Sequence, residues 1–183
     1  MPRLDHYPPV QISPEQFELE VKAVLDGLGL GLAEYQSQHR EVVGGPDGDY
    51  EIDVTVRFSA LGANFLVLVE CKRHKNPVKR EVIQSLYAKL LSLGAQKGVV
   101  FSTSGFQSGA LEFAEAHGIA TVQLTEGRTS WFTKSLDGPT EPPPWANIDP
   151  IIGWLIHGTS HSIVSRQHPE YLRSALTNEA AVL

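Results

Sequence analysis

The 183-residue chain lacks the features that place a protein in a membrane or hold it together covalently. It has one cysteine, which excludes an internal disulfide and a metal cluster held by several thiolates. No apolar run approaches the roughly 20 residues that a membrane-spanning helix requires. The first nine residues, MPRLDHYPP, lack the apolar core of a secretory signal. These absences predict a cytoplasmic protein without a membrane partner.

Positive charge is also scarce overall, since 15 Lys and Arg stand against 21 Asp and Glu, for a net charge of −6. The cations are unevenly placed, however. Residues 71–97 contain seven of them and a single acid, Glu81. Such a segment is either a solvated helix face or a surface for an anionic partner such as nucleic acid.

The remaining composition is that of a globular domain, with 42% hydrophobic and 20% charged residues. We expect one core domain over residues 1–124, with a lead-in at 1–12, and a C-terminal extension at 125–183. The extension contains a proline-rich linker and is too short for a core of its own, so we expect it to pack on the core or on a second subunit.

Apolar periodicity predicts alternating helices and strands. A helix begins at Ser13, whose capping box with Gln16 and following Pro14 are strong start signals, and ends near Leu28. A second capping box is expected between Ser104 and Gln107. The further predicted elements are strands at 50–57 and 65–72 joined as a hairpin, a helix at 78–93, a strand at 98–102, a helix to 117 and a last core strand at 119–124. This order predicts an α/β fold with a central mixed β-sheet and helices on both faces.

The most informative stretch lies where the strand at 65–72 ends. Five apolar residues, FLVLV, are followed by Glu70, Cys71 and Lys72. Because side chains alternate along a strand, Glu70 and Lys72 share one face and Cys71 faces the core. Asp53 lies on the polar face of the preceding strand, and the hairpin permits it to lie beside them. Taken alone, a Glu-x-Lys pair is more often an exposed ion pair.

An acid on one strand, followed by a glutamate and a lysine on the next, is the arrangement by which metal-dependent nucleases present their site. A divalent metal can activate water and stabilise charge on a phosphate. Mg²⁺, with Mn²⁺ as a substitute, binds one or two carboxylates. Asp53, Glu70 and the backbone carbonyl of Cys71 are the candidate ligands, and Lys72 would orient or deprotonate the attacking water.

Two further sets of residues extend this hypothesis. Glu18, on the first helix, is either an ordinary carboxylate at the edge of the apolar stripe or a fourth catalytic residue that reaches the metal. The cations after the catalytic strand would contact the DNA backbone: Arg73, Lys75, Lys79 and Arg80.

Several segments resemble the Mrr-type restriction endonuclease family of the PD-(D/E)xK nuclease superfamily. They occur in the family's order across residues 13–124. They are Phe17-Glu18, Leu28-Gly29, GDYEID at 48–53, VECKR at 69–73, GAQKG at 94–98, TSGF at 103–106 and ALEFA at 110–114. Many relatives have glycine where this chain has Tyr50-Glu51, and residues 125–183 match nothing in the family.

The resemblance implies a restriction-endonuclease-like core and Mg²⁺-dependent cleavage of DNA. It assigns catalysis to Asp53, Glu70 and Lys72 with Glu18 as a helix acid, and makes Gln84 a candidate for a water or phosphate contact. One site cuts one strand, so a double-strand cut predicts a homodimer. The expected role is restriction of foreign DNA or repair.

Rival functions remain open at this point. A structure-specific nuclease of the Holliday-junction type shares the scaffold. A catalytically silent DNA-binding or assembly module would retain the fold. The extension could instead bind a partner that gates cleavage. His157 and His161 stand four apart, but the intervening GTS disfavours a helix, so zinc binding there is not expected. Trp154 is expected to be buried against the domain rather than to stack on bases.

Overall fold

The computed structural model of the protein describes residues 10–29, 31–127 and 149–177. The lead-in residues 1–9 and the proline-rich segment of the extension lie outside these ranges. The described elements are four helices and seven strands. In chain order they are α1 (Pro14–Leu28), β1 (Ala33–Gly45), β2 (Gly48–Ala60), β3 (Ala63–Lys72), α2 (Arg80–Leu93), β4 (Lys97–Ser102), α3 (Ser108–Ala116), β5 (Ala120–Glu126), β6 (Ile151–His157), β7 (Ser160–Val164) and α4 (Glu170–Thr177).

All seven strands form one mixed sheet in the order β1-β2-β3-β4-β5-β6-β7. The pairs β3–β4 and β4–β5 are parallel, and the other four pairs are antiparallel. Helices α1 and α4 pack with the cluster that contains Val67, Val69 and Phe101. Helices α2 and α3 pack on the opposite face, with Leu68 and Val100. The predicted α/β class, with helices on both faces of a central sheet, is confirmed.

Local signals set the ends of two helices as predicted. The Ser13 side chain accepts a hydrogen bond from the backbone N–H of Gln16, and the Gln16 side chain accepts one from the Ser13 N–H. Phe17 and Val21 are fully buried on the next turns. Gly94 ends α2 with φ 62°, a left-handed conformation that glycine adopts without steric cost.

The second predicted capping box is wrong. Helix α3 begins only at Ser108, and its N-cap, Gln107, makes no side-chain cap bond. Ser104 is used elsewhere, because its hydroxyl donates to the carbonyl of Asn76. The loop thereby fastens a neighbouring segment of the chain instead of starting the helix.

The period of two along 50–57 predicts that Tyr50, Ile52, Val54 and Val56 share one face of β2, and the structure confirms this only in part. Val54 and Val56 pack on the α1 side as a pair, but Ile52 packs on the α2 side, although strict alternation would place it with Val54. The strands bend here, since Arg40 of β1, between the partners of Val54 and Ile52, has φ 51°. The β2–β3 ladder stops at Val54 and Val69. The bend therefore opens the sheet beside Asp53.

Three strands were not anticipated from the sequence. Strand β1 pairs along most of β2, although the turn residues at 44–49 predict only a loop before β2; in the structure the turn is confined to residues 46 and 47. The strand at 119–124 is not the last of the core, because β6 pairs with β5 and β7 with β6. Trp154, in β6, is buried as expected. In the described ranges no helix is long and apolar enough to cross a membrane.

Candidate active site

The end of β3 presents an acid and an amine on the face that α2 covers. Glu70 and Lys72 follow the alternation of Leu68, which belongs to the α2-side cluster. Cys71 points the other way and packs against the α1-side cluster, where burial raises the pKa of its thiol well above the ordinary value. The predicted alternation is therefore correct, and Cys71 is the core-facing spacer between two polar side chains.

Glu70 is held by two lysines. The Lys72 ammonium donates to one carboxylate oxygen, and Lys89 Nζ of α2 lies 3.1 Å from the other. Burial alone would raise the pKa of Glu70, but the hydrogen bonds and charges of the two lysines outweigh it and lower that pKa. Glu70 is therefore ionised, although only 12% of its side chain is exposed.

Asp53 occupies the gap where β2 and β3 separate. Its Oδ2 accepts the backbone N–H of Cys71 at 2.6 Å, in place of a ladder bond. Burial raises the pKa of the Asp53 carboxyl, and the nearby carboxylate of Glu70 raises it further against the opposing effect of that hydrogen bond and of Lys72. The structure thus brings Asp53 to the Glu70–Lys72 pair, as the hairpin permitted.

Glu18 approaches from α1 but is bound by two residues of β1. His39 Nε2 lies 2.7 Å from its Oε2, and Arg40 Nε donates to the same oxygen at 2.8 Å. A second Arg40 nitrogen lies 3.4 Å from Oε1. Burial opposes ionisation of Glu18, but these contacts lower its pKa. Glu18 is near enough to Asp53 to raise the pKa of that acid.

The basic segment after β3 is exposed and anchored by its backbone. Thr103 and Ser104 donate side-chain hydrogen bonds to the carbonyls of His74 and Asn76. Val78 bridges the same loop, because its N–H donates to Gly105 and its carbonyl accepts from Gln107. The cations of this segment are all exposed: Arg73, Lys75, Lys79 and Arg80. The Arg80 guanidinium lies 5.1 Å from the ring centroid of Phe113.

Gln84 is exposed on α2. It lies five residues before Lys89, which corresponds to about 140° around the helix. Lys89 faces Glu70, so Gln84 points away from the Glu70–Lys72 pair. The suggested contact of Gln84 with water or phosphate stays a prediction.

Sequence reasoning missed three residues at this site: His39, Arg40 and Lys89. His39 and Arg40 belong to β1, which alternates between exposed and half-buried positions without a marked apolar run. Lys89, on α2, is one of the seven cations at 71–97, for which the sequence indicated no individual role at the site. The available signal was its spacing, since it lies three residues after the buried Leu86 and seven after the half-buried Val82.

The donor set fits a small cation that prefers oxygen ligands. Within the described ranges, no three His, Cys, Asp or Glu side chains gather as a metal cluster. Two carboxylates, Asp53 and Glu70, and the carbonyl of Cys71 are available instead. Mg²⁺ requires few protein ligands because it retains several waters. A buried Asp53 whose charge is opposed by neighbouring acids would be stabilised by such a cation.

A partly enclosed cavity lies elsewhere in the described chain. It has a volume of about 230 Å³ and lies where β4 and β5 begin, with Lys97, Ala120 and Leu155 in its lining. Glu70 and Lys72 lie at the opposite end of the parallel strands. The candidate site therefore lies at the end of these strands that is away from the cavity.

Much of the chain resembles a known family of proteins. Residues 10–129 match the Mrr_cat family model, described as restriction endonuclease. The type IV methyl-directed restriction enzyme EcoKMrr of Escherichia coli strain K12 is 39% identical over 107 residues, which are 58% of this chain and 34% of that enzyme. The chain therefore spans about a third of the length of this curated relative.

Two solved structures are also similar. A protein of unknown function, AF1548, is 21% identical with a TM-score of 0.46, and covers 58% of this chain and 55% of its own. The DNA modification-dependent restriction endonuclease AspBHI is 19% identical with a TM-score of 0.30, and covers 64% of this chain and 35% of its own.

Proposed function

This chain belongs to the Mrr-type restriction endonuclease family, and from that premise we propose that it is a metal-dependent endonuclease that hydrolyses phosphodiester bonds of DNA. One observation carries the proposal: Asp53 accepts the Cys71 N–H, so it lies against the same strand end that bears Glu70 and Lys72. Two acids and an amine thereby meet at the end of β3.

Asp53, Glu70 and the backbone carbonyl of Cys71 would hold the metal, Mg²⁺ or Mn²⁺ in its place. When bound, such a cation supplies activation of water and stabilisation of charge on the phosphate. Glu18 lies on α1 and is engaged by His39 and Arg40 of β1, whereas Glu70 lies on the strand end that Asp53 contacts, so we place Glu18 beside these ligands and not among them.

Lys72 orients the attacking water or neutralises negative charge that develops on the phosphate. Its ammonium is fixed by Glu70, so the amine is positioned before substrate arrives. Lys89 also binds Glu70 and, together with Lys72, lowers the pKa of that carboxylate.

The basic segment would contact the DNA backbone beside the site. Its anchoring to the 103–107 loop fixes its path, which lowers the entropy cost of binding. The proposed contacts are made by Arg73, Lys75, Lys79 and Arg80, with Gln84 as a further candidate. Phosphate contacts of this kind give affinity without reading sequence.

A homodimer would place two such sites on the two strands of a duplex. We propose that the protein acts in the cytoplasm against foreign DNA. Its described residues include no module that is evident as a separate reader of DNA sequence, so the preferred substrate is best found by testing several.

The direct test is a cleavage assay on plasmid, linear and branched DNA, with Mg²⁺, with Mn²⁺ and with a chelator. Cleavage is expected with either metal and not with the chelator. The Lys72→Ala variant is expected to bind DNA but not cut it. Lys22→Ala is the matched control. It also removes one lysine charge, but Lys22 pairs with Asp26 on α1, away from the site.

The outcomes separate the alternatives. If no DNA is cut with either metal, the enzyme function is wrong and a DNA-binding module becomes the better interpretation. If only branched DNA is cut, the protein is a structure-specific nuclease. Undiminished cutting by Lys72→Ala would show that the chemistry lies at another site.

A further inference from the structure

Arg40 lies beside this site. The sequence predicted no role for it, and its backbone has an unfavourable conformation. The β1–β2 register pairs His39 with Val54 and Glu41 with Ile52, so Arg40 lies opposite Asp53. Its φ of 51° is in the left-handed region, which is uncommon for a residue with a long side chain. Strained backbone of this kind is concentrated at functional sites because the surrounding structure must maintain it.

The Arg40 side chain is also held in one orientation. Its Nε and one terminal nitrogen face the two oxygens of Glu18. Within the described residues the Arg40 side chain makes no other hydrogen bond, so its second terminal nitrogen remains available. Half of the side chain, 49%, is exposed, whereas 13% of the Glu18 side chain is exposed. A buried carboxylate therefore aims an accessible guanidinium outward.

The charges around Arg40 give the site a second flank. The basic segment lies after β3, on one side of Asp53. On the other side, the acids Glu15, Glu18 and Glu51 act on Arg40. A DNA backbone that crosses Asp53 would meet these acids unless a cation stands among them. Arg40 is placed to be that cation, and its planar fork suits a phosphate better than an ammonium does.

We propose that Arg40 binds a DNA phosphate on the β1 side of Asp53, and that Glu18 orients this arginine rather than holding the metal. The inference rests on the proposed function, since it requires DNA to cross the Asp53–Glu70–Lys72 edge. It assigns Arg40 a binding role and Glu18 a positioning role. DNA would then be gripped on both sides of the reacting bond.

The main test measures DNA affinity by fluorescence anisotropy, with a duplex and a chelator, at several salt concentrations. Arg40→Gln is expected to weaken binding about tenfold, as for loss of a charged hydrogen bond. The slope of log affinity against log salt should fall in magnitude by about 0.9, as for one lost phosphate contact. Arg166→Gln is the matched control. Arg166 pairs with Glu20, which lies on α1 like Glu18 but on the other side of that helix, so this substitution should leave both quantities unchanged.

A second measurement separates a binding role from a structural one. Arg40→Gly removes the side chain and suits the left-handed backbone, which offsets the loss of the pair with Glu18, so its Tm should stay near that of the parent while DNA binding falls. Leu61→Gly is the control for the backbone effect. Leu61 has the same φ of 51° but is fully exposed at the β2–β3 turn, so its replacement should not change DNA binding.

A third measurement assigns Glu18. In cleavage assays, Glu18→Gln and Arg40→Gln should both raise the KM for DNA and leave the Mg²⁺ concentration for half-maximal rate unchanged. If Glu18→Gln alone raises that Mg²⁺ concentration, Glu18 holds metal and its assignment here is wrong. If Arg40→Gln binds DNA with the parent's affinity and salt slope, Arg40 does not bind phosphate. If the parent protein binds no DNA at all, the proposed function itself fails.

Discussion

On each side of Asp53 a carboxylate is bound by two basic residues, and the two sides, or flanks, differ in exposure. On the α2 side, Glu70 is bound by Lys72 and Lys89, whose side chains are 24% and 21% exposed. On the β1 side, Glu18 is bound by His39 and by Arg40, which is 49% exposed. Charges interact more strongly when water is largely excluded. We therefore expect the α2 flank to serve the chemistry and the β1 flank to serve contact with a partner.

Asp53 lies between these flanks, and no cation among the described residues forms an ion pair with it. Its carboxylate accepts a hydrogen bond from the backbone N–H of Cys71, and burial raises its pKa, whereas the pKa values of Glu18 and Glu70 are lowered. The outer acids are satisfied by protein cations. The central acid is left to be satisfied by a ligand, which is the position that a divalent metal would take.

The largest effect is expected from Lys72→Ala, on the α2 flank. Loss of a positioned acid–base group lowers rates by about 10²–10⁴-fold. Lys89 still pairs with Glu70, so the Tm should remain near that of the parent. Single-turnover cleavage of a plasmid measures the rate, and Lys22→Ala is the control. If the variant cleaves at about the rate of the parent, the α2 flank does not serve the chemistry, and the proposed difference between the two flanks is wrong.

Asp53→Asn tests the central acid. We expect Mg²⁺ affinity in cleavage assays to fall on the order of 100-fold, because a ligand is lost. The chelated protein should instead become more stable, since a buried charge opposed by its neighbours is removed.

The pH dependence gives the sign of this second effect. A carboxyl whose pKa is raised by folding contributes stability below its unfolded pKa, near the ordinary value of 3.8, and that contribution is lost as pH rises through the folded pKa. The Tm advantage of Asp53→Asn should therefore grow as pH rises through this range. A variant less stable than the parent at pH 7 would contradict the reading of Asp53 as unsatisfied.

Lys89→Met tests whether the second lysine of the α2 flank affects metal binding. The methionine retains the apolar stem and removes a cation beside the candidate metal ligands, so half-maximal activity should require less Mg²⁺. The maximal rate should fall about tenfold, because Glu70 loses one of the two groups that orient it. Lys22→Met is the matched control. An unchanged Mg²⁺ requirement would indicate that Lys89 is only a structural partner.

The smallest effect is expected at a carboxylate outside the site. Glu41 is bound by Arg57, 2.6 Å away, and by the Thr55 hydroxyl. Burial opposes ionisation of Glu41, but these partners lower its pKa. Arg57 is 39% exposed, so Arg57→Gln should cost less than about 1 kcal/mol in the free energy of unfolding.

Acid should abolish that difference. A lowered pKa contributes stability above the unfolded pKa, near 4.5, and this contribution is lost as pH falls through the folded pKa. Urea unfolding at pH 7 and at lower pH measures the difference between parent and variant. DNA cleavage should be unaffected, and a cleavage defect would show that the β1–β2 surface takes part beyond Arg40.

The sequence alone determined the local features. The Ser13 cap, the apolar stripe of α1 and the Gly94 stop follow from interactions between residues three or four apart, or from the backbone freedom of glycine. The alternation that places Glu70 and Lys72 together and turns Cys71 to the core is a property of any strand. Residues within one element have a spacing that the chain itself fixes, so these predictions required no tertiary information.

Only the tertiary structure decided which distant groups meet. Strand β1 has a half-polar pattern and is a strand because β2 pairs with it, so the contacts of His39 and Arg40 with Glu18 were not visible in the sequence. Lys89 was unassigned until α2 was packed over β3. The bend that frees Asp53 from the ladder depends on the pairing of two strands. These features depend on long-range register, and register is set by the packing of the whole sheet rather than by neighbours in the chain.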